Sequence, residues 1–109
     1  MQLVIQVISS QSHSLRNRII NDKTLKDYDL YVVEKKKVGR PHGWAKLHSV
    51  AENQDGAINI EWSGGAKMLL CRMVTKGSGR PDRITGDFLD YLLSRYRKAI
   101  VAINIVPRN

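Results

Sequence analysis

The chain is short of the residues from which rigid cross-links and metal centres are made. Its one cysteine, Cys71, excludes an intrachain disulfide and any cysteine-based zinc site within one subunit. With three prolines and eight glycines it has no low-complexity segment. No hydrophobic run approaches the length needed to cross a membrane. The apolar start from Met1 to Ile8 lacks a basic lead and is interrupted by Gln2 and Gln6, so it reads as a strand rather than a signal peptide. A cytoplasmic location, away from membranes, is the resulting expectation. Acids are also scarce, ten against eighteen lysines and arginines, and the formal net charge is +8.

What is present describes one domain spanning residues 1–109. A chain of this size buries roughly two-thirds of the surface it exposes when unfolded. Hydrophobic residues make up 42% and charged ones 26%, an ordinary balance for a globular protein. Val4, Ile5, Val7 and Ile8 suit a central strand. Ser14 is placed to cap a short helix carrying Leu15, Ile19 and Ile20. Strands are expected from Tyr28 to Lys36, from Trp44 to Val50 and, after the hairpin signal Asn53-Gln54-Asp55-Gly56, through Ile58, Ile60 and Trp62. From Lys67 to Thr75 apolar residues fall on both faces, the pattern of a strand covered on both sides.

Ile84, Phe88, Tyr91, Leu92 and Tyr96 then recur at helical spacing. Gly86 interrupts that pattern, so either Pro81 occupies the first turn or Thr85 is a later cap. Ile100 to Val106 forms a last strand, stopped by Pro107. The fold class is α+β, in the order β-α-β-β-β-β-α-β. A mixed, largely antiparallel sheet packs against the C-terminal amphipathic helix, with the first and last strands near its centre.

Charge divides unevenly along the chain. Residues 1–34 balance, 35–48 hold five basic residues and no acid, 49–66 are acidic, and 67–83 carry a net +4. Each basic block contains the tripeptide Gly-Arg-Pro, at residues 39–41 and 79–81. Glycine permits close backbone approach, proline fixes φ, and the arginine between them is held on a turn where it can meet an anion. The stretch Lys35-Lys36-Lys37-Val38-Gly39-Arg40-Pro41-His42 resembles the core of an AT-hook, a minor-groove DNA-binding peptide. Val38 and, in the second copy, Ser78 stand where that pattern has its first arginine. The resemblance covers about eight residues and implies groove or phosphate contacts for Arg40 and Arg80 alone.

Basic residues interleaved with aromatic ones give the broader expectation, because bases stack on rings while phosphates meet cations. Trp44, four residues beyond Arg40, is the ring best placed for this. Trp62 shares an apolar face with Ile58 and Ile60. The candidate nucleic-acid-binding residues are Lys35, Lys36, Lys37, Arg40, Trp44, Lys76, Arg80 and Arg83, contacting DNA or RNA without catalysis and without a cofactor or metal.

Two enzymatic constellations stand beside this reading. Asp29 with Glu34-Lys35-Lys36 resembles the acid plus Glu-x-Lys set of metal-dependent nucleases, but alternation along one strand turns Asp29 and Glu34 to opposite faces. A metal-free, toxin-like endoribonuclease would use His42 or His48 with Arg40, Arg72 or Arg80. A third class is an assembly module, since one strong helix cannot cover a sheet of this size. A homodimer would bury the face left open.

Overall fold

Six segments form strands in the computed structural model, which describes residues 2–50, 56–75 and 81–108. Gln2–Ser9 (β1) is followed by a short helix, Leu15–Ile20 (α1), and a 3-10 turn at Leu25–Tyr28. The strands Leu30–Glu34 (β2), Trp44–Ser49 (β3), Gly56–Ser63 (β4) and Met68–Thr75 (β5) make a meander. Asp82–Arg95 (α2) then leads through a 3-10 turn to Ile100–Arg108 (β6). The sheet order is β2-β3-β4-β5-β1-β6, and all five pairings are antiparallel.

Local chemistry accounts for the helix starts. The Ser14 hydroxyl accepts from the Asn17 N–H at 3.1 Å and caps α1. The main helix begins immediately after Pro81, and the Thr85 N–H already donates to the Pro81 carbonyl at 3.0 Å. Thr85 is therefore an interior residue and not a cap. Gly86 is carried inside the helix because the buried stripe of Ile84, Phe88, Tyr91 and Leu92 outweighs the roughly 1 kcal/mol cost of one glycine.

Burial separates the two faces of the sheet. Ile5 and Val7 of β1, Ala45 and Leu47 of β3, Ile58 and Ile60 of β4, and Leu69, Cys71 and Met73 of β5 form one core with Leu15, Ile19 and the α2 stripe. Burial also pushes the Cys71 thiol well above its ordinary range, as suits an inert core residue.

Both helices lie on that face. Their alternation partners point away from the helices, so β5 is covered on one side only, and Arg72, between Cys71 and Met73, is exposed. β6 is an edge strand rather than a central one, and its Val101, Ile105 and Val106 are exposed. Its edge position also explains why Pro107 does not end it: an edge strand tolerates a missing N–H, and β6 runs on to Arg108.

A polar knot ties the ends of the helices together. Asp22, just beyond α1, accepts hydrogen bonds from the Tyr91 and Tyr96 hydroxyls, each at 2.8 Å, and from the Thr24 N–H and hydroxyl. Arg95 approaches the same carboxylate at 3.4 Å. Burial acts to raise the Asp22 pKa, but the hydrogen bonds from Thr24, Tyr96 and Tyr91 outweigh it and hold the carboxyl well below its usual range.

Candidate nucleic-acid interface

The face of the sheet away from the helices carries a mixed aromatic and basic surface. Strand register arranges it in rows running across the strands. Tyr31, His48, Ala57 and Val74 make one row, and Lys46, Asn59, Arg72 and Val4 the next. Trp44, Glu61, Leu70 and Gln6 form the third. Tyr31 is 44% exposed and meets the His48 ring edge-on at 5.9 Å, so one ring at this end is open to stacking. Trp44 lies four residues along β3 from His48, roughly 13 Å away at strand rise.

Two back-to-back turns bring the first Gly-Arg-Pro over this face. The Arg40 N–H donates to the Lys37 carbonyl at 3.0 Å, with Gly39 at φ 87, the conformation that favours glycine at the third position of a turn. The Trp44 N–H then donates to the Pro41 carbonyl at 3.1 Å. Gly43 makes the entry into β3 possible, because a Cβ there would stand 2.6 Å from the Trp62 carbonyl oxygen. Arg40 folds back so that its guanidinium carbon lies 5.2 Å from the centroid of the Trp44 ring. Trp44, 3% exposed, donates its indole N–H to Asn59 Oδ1 at 3.2 Å.

A residue that the sequence does not single out secures this loop. Arg16 of α1 is buried, yet its guanidinium makes no ion pair among the described residues. Nε and Nη2 donate to the Trp44 carbonyl at 3.1 and 2.9 Å, Nη2 also donates to the Lys35 carbonyl, and Nη1 donates to Asn17 Oδ1 at 2.8 Å. One side chain thereby pins both ends of the stretch between Lys35 and Trp44, and it adds a fixed positive charge behind it.

The other expected contacts divide. Lys36, Lys37, Arg40, Pro41 and His42 line one shallow depression, and exposed Lys35 precedes it at the end of β2. Arg40 also lines a second, with Trp44, Asn59, Glu61, Leu70 and Arg72. Arg83 is exposed in the first turn of α2, on the helical side of the molecule. Lys76, Arg80 and the hairpin signal at residues 53–55 lie outside the described residues. Thr75, which precedes the second Gly-Arg-Pro, pairs with Gly56, whereas Gly43 and Trp44 meet Trp62 and Glu61 at the opposite end of β4.

Of the enzymatic candidates, His42 shares the shallow depression with Arg40, and Arg80 lies outside the described residues. His42 is exposed in the turn before β3, and His48 sits beside Tyr31 in the farthest of the three rows from it. Asp29 precedes β2 in a left-handed conformation at φ 61 and does not share a strand with Glu34. Among the described residues no group of three or more His, Cys, Asp or Glu side chains could hold a metal ion.

A larger depression, about 600 Å³ and lined by Arg18, Arg95, Arg97 and Lys98, adjoins the end of α2. Its one aromatic ring, Tyr96, is covered by Arg18 at 4.8 Å, and Arg95 is directed to Asp22. The carbonyl end of a helix is also the wrong pole for an anion. This basin braces the helix end and offers no free ring.

Among the described residues no helix is long and apolar enough to cross a membrane. The chain matches no protein-family model, no curated protein and no solved structure.

Proposed function

We propose that the open face of the sheet binds single-stranded nucleic acid, RNA or DNA, without catalysis. The observation that carries this reading is Arg40 stacked on Trp44 at one end of an open antiparallel face, in one depression with exposed Arg72. Flat rings and guanidinium planes stack on unpaired bases, and cations between them meet the phosphates. Arg40 and Trp44 form one stacking platform and Tyr31 with His48 the other; Lys46 and Arg72 supply charge between them, and Lys35, Lys36 and Lys37 extend it along the loop. A rigid duplex presents no free base faces to such a surface. The site of Arg40, folded onto the sheet within a turn, also differs from the extended peptide that an AT-hook requires.

Fluorescence anisotropy with labelled oligonucleotides tests the proposal. About four phosphate contacts give a log–log salt slope of about −3, a loss of about fiftyfold in affinity between about 50 and about 200 mM salt. Arg72→Ala should reduce that slope by about one contact. Absence of binding at the lower salt would end the proposal.

A second reading, assembly, is favoured by β6. It is an edge strand whose Val101 is 66% and Ile105 48% exposed, and residues 100–107 carry no charge to discourage pairing. A second copy could extend the sheet there and leave the open face free. Sedimentation velocity would report a dimer that Ile105→Lys dissociates; a monomer at all concentrations would remove this reading.

A further inference from the structure

The open face contains one feature that phosphate binding does not explain. Glu61, on β4, is partly buried in the small depression where Arg40 and Arg72 are also found, yet among the described residues it forms no ion pair or hydrogen bond. A carboxylate there opposes a phosphate. It suits instead a ligand that brings its own N–H donors.

Its neighbours define which donors. Glu61 is the cross-strand partner of Trp44 and of Leu70, so it stands directly beside the stacking ring. Asn59 lines the same depression and has its Oδ1 occupied by the Trp44 indole N–H, which leaves the amide N–H groups as what its side chain can offer a ligand. Arg72, opposite Asn59 on β5, adds a forked donor. The cavity therefore presents one two-oxygen acceptor and two donor groups beside an aromatic ring. With Arg40 lying on Trp44 the free space is about 50 Å³, too little for a base, so the base must take the place of Arg40 on the ring. Arg40 can then stack on its outer face.

We infer that this depression is a guanine-selective seat within the single-stranded nucleic-acid site, an inference that rests on the nucleic-acid reading above. Guanine offers two adjacent donors, N1–H and the exocyclic amine, to the two oxygens of one carboxylate, and its O6 accepts from Arg72 or Asn59. Uracil has one ring donor. Adenine and cytosine place an amino donor next to a ring acceptor, which a carboxylate oxygen would repel. The binding is non-covalent, and each bidentate contact confers discrimination of about tenfold or more.

The test uses anisotropy titrations with four oligonucleotides of a uridine background, carrying a central guanosine, inosine, adenosine or uridine. Inosine keeps N1–H and O6 and lacks the exocyclic amine. The wild-type chain should bind the guanosine oligomer about tenfold more tightly than the others. In Glu61→Gln the ratio of guanosine to inosine should collapse toward one, while affinity for the all-uridine oligomer rises because a negative charge is gone. A misfolded variant would instead lose affinity for every oligomer, and Glu61→Asp, which keeps the carboxylate, should retain part of the preference. Equal affinity for all four oligomers overturns the guanine seat and leaves the nucleic-acid reading standing. A preference that survives in Glu61→Gln overturns it equally. Failure to bind any oligomer overturns both.

Discussion

Replacing Arg16 by methionine keeps an apolar stem of similar reach and removes the guanidinium that bonds the carbonyls of Trp44 and Lys35. A hydrogen bond from a charged donor contributes about 1.5–3 kcal/mol net, and a buried oxygen left without its donor costs about 1–3 kcal/mol. Relief from holding a cation at 8% exposure offsets part of that loss. The expected destabilisation is about 2–4 kcal/mol, or roughly 8–15 °C in melting temperature for a domain of this size. Urea unfolding gives the free energy, and amide hydrogen exchange locates it. Exchange should accelerate across residues 35–44 before it does so in the core strands, because the loop loses the fastening at both of its ends. Arg16→Lys should recover less than half of the stability, since one ammonium cannot reproduce the fork. A loss under about 0.5 kcal/mol, or a larger loss without faster exchange in the loop, would refute the clamp.

Asp22→Asn tests the knot at the helix ends. Because hydrogen bonding holds the folded carboxyl below its ordinary value of 3.8, it contributes stability above that pH, and the contribution is lost as pH falls through the lower, folded pKa. The variant should be less stable by about 2 kcal/mol at neutral pH and lose less on acidification below about pH 4; parallel urea-unfolding profiles for the two proteins would contradict this. Gly43→Ala would push a Cβ to 2.6 Å from the Trp62 carbonyl oxygen, a backbone atom that cannot yield cheaply. It should cost about 1–3 kcal/mol in a thermal melt, while Gly65→Ala, with open space around it, should cost far less.

Much of the fold was legible because alternation and helical spacing record which side of each segment is buried. Ile58 and Ile60, or Phe88 and Leu92, announce a core face without reference to the rest of the chain. Alternation is silent about neighbours, however. The apolar run of β6 reads as a central strand, although its sequence suits an exposed edge equally well. Likewise, Met68 and Leu70 suggest a second cover on β5, where the structure has an open face. Arg40 and Trp44 could be linked by their four-residue spacing on either side of a turn. Arg16 could not, because its bonds go to backbone carbonyls 19 and 28 residues away, and any sequence supplies carbonyls. Glu61 was hidden for a related reason: it occupies the polar position of an alternating strand, and only its meeting with Asn59 of the same strand and with Arg40 and Arg72 from two other segments suggests the role proposed for it.

The proposed nucleic-acid surface is the open face of the sheet. Its most direct test is a titration of the isotope-labelled chain with a short single-stranded oligonucleotide, followed by amide and indole chemical shifts. The largest changes should fall at the Trp44 indole, along β3, β4 and β5, and in residues 35–44, with α2 little affected. Absence of shifts at low salt, or shifts gathered around Arg18, Arg95 and Arg97 with the Trp44 indole unmoved, would contradict it.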